Sequence, residues 1–399
     1  MSNDGEIHYR TVYGKLFSGL LHQFGAAYVS EIEDAIQNAF LKSLKIGKQR
    51  PANKENWLFI VARNDVLNQL KRKQKENRNS TVENFEESTA ICDEKDLRLQ
   101  TILFIAGVEN SSKQAKILFV LKNIFGLSIK EISDCTLLHH EAIYKSISRT
   151  KKNLQSAFKD KTIALNTITV QQPTISIVEE MLYAVFNIGF DSFNEKTENI
   201  VNEELCLETF ALTKRLFSEY QADSTRNLLA LFCFHASRIP AKTEQGKLIS
   251  FFSQNRSKWN KELLNLGFYY LKQPESNSKF YLEAIIISKY MSVVELKQND
   301  WTDIVHLYEM LQKVSPSPIV KLNYCFCLSS AGKTEEALDL LSVLEKELPA
   351  EHLYFSLVKA KILKEINPEA AEALFSSVIG KMSQNIRKEY LLENESIHL

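Results

Sequence analysis

The sequence predicts an all-α protein of several domains, and three observations carry that expectation. Apolar residues recur at three- and four-residue intervals through most of the chain, as on the buried stripe of an amphipathic helix. Helix breakers are few, with 8 prolines and 12 glycines in 399 residues, which suits helices throughout. Near the C-terminus a helical pattern repeats. Ala337, Leu338, Leu340 and Leu344 precede Ala371, Glu372, Leu374 and Val378 by a constant 34 positions, the period of a two-helix repeat.

The first readable element is EIEDAIQNAFL at 31–41, with Ile32, Ala35, Ile36, Ala39 and Phe40 on one side and Asp34, Gln37 and Asn38 elsewhere. Pro51 interrupts the pattern, and a second helix runs from Asn56 towards Arg78. It starts apolar at Trp57, Leu58, Ile60 and Val61 and ends basic. Arg63, Lys71, Arg72, Lys73, Lys75 and Arg78 face only Asp65 and Glu76 in its second half. Positive charge concentrated at one helix end is an electrostatic footprint for phosphate, although a solvated helix end looks the same. Trp57 is either a core anchor or a ring on which an unstacked base rests. Residues 79–96 then lose periodicity and carry six carboxylates against Lys95, the composition of a flexible acidic tether.

Residues 126–154, GLSIKEISDCTLLHHEAIYKSISRTKKNL, read as two short helices joined by a tight turn. Leu127, Ile129, Ile132, Leu138, Ile143, Ile147 and Leu154 make the apolar stripe. Ser128 with Glu131 three positions later forms a capping-box pattern, in which two otherwise unpaired backbone N–H groups find acceptors. His139-His140-Glu141 opens the second helix, leaving His140, Glu141, Tyr144, Lys145 and Ser148 off the stripe. A second helix presented this way fits the DNA major groove, with Arg149, Lys151 and Lys152 placed for phosphates. The plain alternative is an amphipathic hairpin with a solvated basic tail.

DAIQNAF at 34–40, NWLFIVARNDVLNQLKR at 56–72 and the 126–154 segment, in that order and spacing, resemble the two binding regions of an extracytoplasmic-function sigma factor. The resemblance implies a protein that binds bacterial core RNA polymerase and directs it to particular promoters. Asp34, Gln37 and Phe40 match positions that contact polymerase. Trp57, Arg63, Asn64, Asn68, Lys71 and Arg72 match the segment that melts and reads the minus-ten element. His140, Glu141, Tyr144, Lys145 and Arg149 match the helix that reads the upstream element. Two positions depart from the pattern. Asn38 stands where glutamate is common, which implies altered polymerase contact, and Leu137 replaces a turn glycine, which implies a turn without positive φ.

The remaining two-thirds of the chain exceeds that family's minimal members. YAVFNIGF (183–190), FHASRIPA (234–241), SQNRSKWN (253–260), NDWTDIVHLYEML (299–311) and SPSPIVKLN (315–323) are similar to landmarks of a subgroup with a large C-terminal extension ending in tetratricopeptide-like repeats. Ile188 and Phe190 stand where Glu and Tyr are usual, and Asn255 and Asn260 replace acidic residues. The implied organisation is a first sigma helical domain at 1–78, a linker at 79–98, a helix-turn-helix domain at 99–160, and an extension at 175–399. The repeats lie near 316–382, with turns at Gly332-Lys333-Thr334 and Asn367-Pro368-Glu369. Two repeat units need helices from 175 to 315 stacked against them. Asn187, Phe190, Arg256 and Trp259 mix aromatic anchors with hydrogen-bonding groups, as interfaces do, and are expected to contact the sigma module. The other reading places Phe190 and Trp259 in the extension's own core.

Composition narrows the remaining classes. Lys plus Arg equals Asp plus Glu at 49 each, so any DNA-binding charge is local. Six cysteines without CxxC spacing read as free thiols of a reducing cytoplasm. No signal peptide and no apolar run of membrane-spanning length is evident. His139-His140 lacks supporting metal ligands at useful spacing. Asp300 and Asp303 around Trp301 read as helix capping before a buried ring. There is no glycine-rich phosphate loop, HExxH or GxSxG motif, so neither an enzyme nor a cofactor is expected. The expected partners are core RNA polymerase, promoter DNA and a protein or peptide on the C-terminal solenoid. Two rival classes are a helix-turn-helix regulator with a tetratricopeptide sensor and a peptide-binding helical scaffold.

Overall fold

The computed structural model describes residues 4–45, 53–76, 96–136, 138–158, 170–192, 199–275, 277–348, 353–382 and 384–394. Among them the fold is all α, apart from one short hairpin. Most of the acidic stretch 79–96, and Leu137 in the helix-turn-helix, lie outside the described residues. The chain forms two compact units, Met1–Val185 and Phe186–Leu399.

The first unit is built on α1 (Asp4–Phe24), followed by a 3-10 turn at Ala26–Tyr28, α2 (Val29–Lys45) and α3 (Lys54–Glu76). Then come α4 (Arg98–Gly107), α5 (Lys113–Asn123), α6 (Ile129–Cys135), α7 (His140–Ala157) and the larger part of α8 (Gln172–Phe190). Val12, Leu16, Phe17, Leu20, Leu21 and Phe24 bury α1 against both halves of the unit. The Phe17 ring meets Phe119 of α5 edge-on at 6.1 Å, and Tyr9 meets Phe40 of α2 at 4.5 Å. At Gly14 the helix approaches the end of α5 so closely that a Cβ would sit 1.9 Å from the Ile124 carbonyl oxygen. Only glycine fits there. Gly126, at φ 62°, turns the chain out of α5 in the left-handed region.

α4 buries Leu99, Ile102, Leu103, Phe104, Ile105 and Ala106, so it is apolar on nearly every side and needs no amphipathic stripe. α6 starts with the expected capping box. Ser128 Oγ accepts from Glu131 N at 3.1 Å, and Glu131 Oε2 accepts from Ser128 N at 2.9 Å. Leu127, Ile132, Ile143, Ile147 and Leu154 are buried as the stripe requires, whereas Ile129 and Leu138 are only half-buried.

The second unit continues from the end of α8 through α9 (Glu203–Tyr220), α10 (Asp223–Ser237), α11 (Lys261–Tyr270), α12 (Lys279–Ser292) and α13 (Gln298–Val314). α14 (Pro318–Ser330), α15 (Thr334–Glu347), α16 (Leu353–Leu363), α17 (Pro368–Lys381) and α18 (Asn385–Asn394) complete it. The expectation of helix throughout from residue 175 needs one correction. Between α10 and α11 the chain forms 3-10 turns and a hairpin pairing Thr243–Glu244 with Lys247–Leu248. Gln245 and Gly246 both take positive φ, 51° and 80°, the two-residue turn that matches strand twist.

The C-terminal repetition has a packing counterpart. Ala337, Leu341 and Leu344 of α15 are buried, and so are Ala371, Phe375 and Val378 of α17 at the same offset. Gly332 (φ 79°) opens the turn before α15. Asn367 caps α17 by accepting from Ala370 N at 3.1 Å, with Pro368 at its first position. Of the two aspartates around Trp301, Asp300 does cap α13, accepting from Lys297 N at 2.8 Å. Asp303 instead binds Lys289 of α12 at 2.7 Å, and Trp301 is half-buried.

Two glycine substitutions test this account. Gly14→Ala forces a methyl group into the Ile124 carbonyl and is expected to destabilise the first unit by about 1–3 kcal/mol or more. Gly380→Ala, in an exposed part of α17 with open space around it, is expected to be neutral or stabilising by up to about 1 kcal/mol. Thermal melts followed by circular dichroism compare them, and equal effects would refute the close approach at Gly14.

Candidate nucleic-acid interface

The expected binding residues lie on three helices of the first unit. On α2, Ile32, Ala35, Ile36 and Ala39 face the core, leaving Asp34, Gln37, Asn38, Leu41 and Leu44 outside. Asp34, Gln37, Leu41 and Leu44 follow helical spacing on one stripe. Leu41 and Leu44 are 57% and 81% exposed, an apolar addition to a polar face that the sequence reading passed over. Phe40 is half-buried under Tyr9 and stands apart from the stripe.

α3 runs beside α2. Its exposed positions Ile60, Asn64, Asn68, Lys71, Arg72 and Lys75 recur at helical intervals and end in the basic run. Trp57 and Arg63 are half-buried at the margin of this face. Asp65 lies between the helices, where its Oδ2 accepts from Asn38 Nδ2 at 2.9 Å and from Gln69 Nε2 at 3.2 Å. Asp34, Gln37, Asn38, Asp65, Gln69 and Arg72 line an open polar depression. This explains the amide at position 38. A glutamate there would set a second carboxylate against Asp65, whereas asparagine supplies the donor.

On α7 the residues off the apolar stripe are exposed as expected: His140, Glu141, Tyr144, Lys145 and Arg149. Tyr144 is 69% exposed. Lys145 and Glu141 form an i,i+4 ion pair at 2.6 Å, a pairing of a few tenths of a kcal/mol at such exposure, readily exchanged for a phosphate or base edge. Lys152 is also exposed, but Lys151 is not available for phosphate. Its Nζ donates to Glu33 Oε2 of α2 across the unit.

Glu33 and its neighbour Glu31 are buried carboxylates that the sequence did not single out. Burial pushes the Glu33 carboxyl above its ordinary value, and the Lys151 ammonium only partly offsets this. Lys73, from the basic end of α3, donates to Glu31 Oε1. Glu131 is held as well. Besides its capping role, its Oε1 accepts from Arg10 Nη2 at 2.5 Å. Gln155 Nε2 donates to Ser30 Oγ at 3.0 Å. The helix-turn-helix and the first three helices are therefore joined by polar contacts as well as by the α1 core.

In the second unit, Phe190 and Trp259 are buried among residues of that unit, and Asn187 is half-buried. Phe190 lies 4.9 Å from the His235 ring. Arg256 sits over the Trp259 ring at 4.8 Å and donates from Nη1 to the Met291 carbonyl at 2.7 Å and from Nη2 to the Val293 carbonyl. It thereby satisfies carbonyls at the end of α12. Glu180 of α8 pairs with Lys113 of α5 at 3.2 Å, both within the first unit.

Among the described residues, no three His, Cys, Asp or Glu side chains come together to hold a metal, and no helix is long and apolar enough to cross a membrane. Cys206, Cys233, Cys325 and Cys327 are buried free thiols.

Residues 174–275 match a family described as a family of unknown function, DUF6596. Across most of its length the chain is similar to Uncharacterized protein R00370 of Rhizobium meliloti (strain 1021). The two are 24% identical over 363 residues, which cover 86% of this chain and 83% of the relative. No solved structure matches.

Glu33 gives the interface a pH signature. A carboxyl raised by folding contributes stability below its unfolded value that is lost as pH rises through the folded value. Unfolding free energy is expected to fall across that acid window, and Glu33→Gln to remove that part of the slope. Urea denaturation of both proteins across the window measures it, and unchanged slopes would place Glu33 in water.

Proposed function

We propose that this chain is a promoter-specificity subunit that binds bacterial core RNA polymerase, resembling extracytoplasmic-function sigma factors with a large C-terminal extension. The observation that carries the reading is the order of three segments, 34–40, 56–72 and 126–154, with most of their candidate contact residues on exposed helix faces and Phe40, Trp57 and Arg63 half-buried. In this reading the α2 stripe of Asp34, Gln37, Leu41 and Leu44 takes the polymerase. Asn64, Asn68, Lys71 and Arg72 take the minus-ten strand, with Trp57 and Arg63 at the edge. His140, Glu141, Tyr144, Lys145 and Arg149 take the upstream duplex through its major groove.

Division of labour supports it. A duplex binder needs one recognition helix and basic residues for phosphate. This chain has that on α7, and it also exposes two leucines beside Asp34 and Gln37 on α2. An apolar and polar stripe of that sort suits a protein partner. Apart from the hairpin at 243–248, the described residues of the second unit are helices and the turns between them, and it ends in two offset helix pairs, an architecture that suits a regulatory or docking extension ending in tetratricopeptide-like repeats. The expected setting is the cytoplasm, with no catalytic residue and no cofactor.

A second reading, a helix-turn-helix regulator that binds duplex DNA without polymerase, draws on the joining of α1–α3 to α7 through Glu33, Lys151, Ser30 and Gln155. There the N-terminal helices serve as the scaffold of the DNA-binding domain.

Copurification separates the two. The full chain is expected to co-elute with core RNA polymerase of the same organism in gel filtration and to start transcription from a subset of promoters. Duplex binding without a polymerase complex would select the regulator. Lys145→Ala is expected to weaken promoter binding while leaving the polymerase complex intact. The loss is about 1–3 kcal/mol at one base position if Lys145 reads a base, and uniform across sequences if it meets a phosphate. Equal loss of polymerase binding would refute the assignment of α7 to DNA.

A further inference from the structure

Two sequence segments, 183–190 and 234–241, meet in the second unit at the guanidinium of Arg238, and a third, 253–260, packs beside them through Phe251. Arg238 ends α10 and is 6% exposed. Its guanidinium carbon lies 4.3 Å from the centroid of the Phe251 ring and 5.4 Å from that of Phe190. Lys242 Nζ lies over the same Phe190 ring at 3.9 Å and donates to the Phe190 carbonyl at 2.6 Å. The Phe251 ring meets that of Trp259 at 6.2 Å, and the backbone N–H of Asn260 donates to the Ser237 carbonyl at 2.8 Å.

The charges in this cluster do not balance. Asp191 is shared by Lys242 at 3.4 Å and by Arg387 at 2.8 Å, and Arg238 is a third cation. Arg238 has no hydrogen-bond acceptor for its Nε, which is buried, and no ion pair. Burial pushes its guanidinium down to about 10 despite the pull of Asp191. Two more groups of the same segments are buried and unpaired: the Trp259 indole N–H and His235 Nδ1. Burial, then Arg238 and Lys242, hold the His235 ring well below its usual range, so it is neutral. The C-terminus of α10 lends Arg238 partial negative charge, but rings and a helix end supply no acceptor for its buried Nε–H. A buried donor left without an acceptor, as Nε is here, costs about 1–3 kcal/mol unless something completes it.

We infer that the second unit holds a binding site for a small anion, centred on the Arg238 guanidinium between Phe190 and Phe251, with Lys242 over the same Phe190 ring and Trp259 against Phe251. The ligand chemistry is an oxyanion that accepts two parallel N–H bonds from the guanidinium fork. A carboxylate and a phosphate group both qualify. The Trp259 N–H is a donor only, so it too is matched by an acceptor, and the aromatic walls favour a ligand with a compact charged head. The site stands independently of the sigma-factor reading. Under that reading it would make the extension a sensor for a charged metabolite.

The test uses the full chain and two probes, inorganic phosphate and succinate, each titrated at constant ionic strength against chloride while the melting temperature is followed. One of the two is expected to raise Tm saturably, by roughly 5–10 °C at a hundredfold excess over its Kd, and to give a one-site isotherm in titration calorimetry. Which probe does so identifies the ligand class. Arg238→Gln is expected to lose the rise. If circular dichroism shows that variant unfolded, Trp259→Phe keeps a ring of similar shape without the N–H donor and is expected to weaken binding about tenfold, the effect of losing one charge-assisted hydrogen bond. A Tm that does not respond saturably to either probe overturns the proposal, as does a response retained in full by Arg238→Gln or, where that is unfolded, by Trp259→Phe.

Discussion

The close approach of α1 to the end of α5 is the constraint on which the first unit depends. Gly14 has no Cβ, so the Ile124 carbonyl can lie against the helix backbone. Around that point α1 meets α5 through Phe17 and Phe119 and meets α2 through Tyr9 and Phe40. It also reaches α6 through Arg10 and Glu131. One helix thus supplies core to both the α2–α3 pair and the α4–α5 pair. The consequence is geometric. Each candidate binding helix has its apolar stripe fixed against a neighbour, so the polar face left outside is determined by the burial and not by the charges on it.

The polar contacts added to that core act differently. Glu33 is buried, raised by its burial, and held by the partly exposed Lys151. Such a pair contributes little net stability, since desolvation opposes the Coulomb attraction. It does fix register, because sliding α7 along α2 would leave a buried carboxylate without its ammonium. Glu131 shows the same economy in another form, one carboxylate serving as helix cap and as partner of Arg10.

How much of this was legible in the sequence follows from the range of each interaction. The Ser128–Glu131 capping box spans three residues, and so does its signal. The faces of α2 and α7 were readable because amphipathic helices carry their period in the chain. α4 was not, since a helix buried all round has no stripe to read, and the role of α1 rests on a glycine whose meaning appears only when Ile124 arrives from far along the chain. Lys151 looked like part of a phosphate-binding run because Glu33, its partner, lies 118 residues away. The hairpin at 243–248 was missed for a local reason. Each strand has two residues, too few for an alternation to register, although Gln245-Gly246 at its turn carried the relevant conformational freedom.

Arg238 is the case where sequence and structure each held half of the information. The segment FHASRIPA stood out, yet an arginine after a helix end reads as a solvated cap. Only the meeting of α10 with Phe190 and Phe251 takes that guanidinium out of water, and only the count of acceptors around it distinguishes a structural arginine from one awaiting a ligand. Arg256, a few residues on, supplies the contrast. It too lies over an aromatic ring, Trp259, but its two terminal nitrogens reach the carbonyls of Met291 and Val293. Its role is complete within the fold. Two arginines with similar aromatic company therefore differ in whether the fold supplies their acceptors, and the inferred anion site rests on that difference.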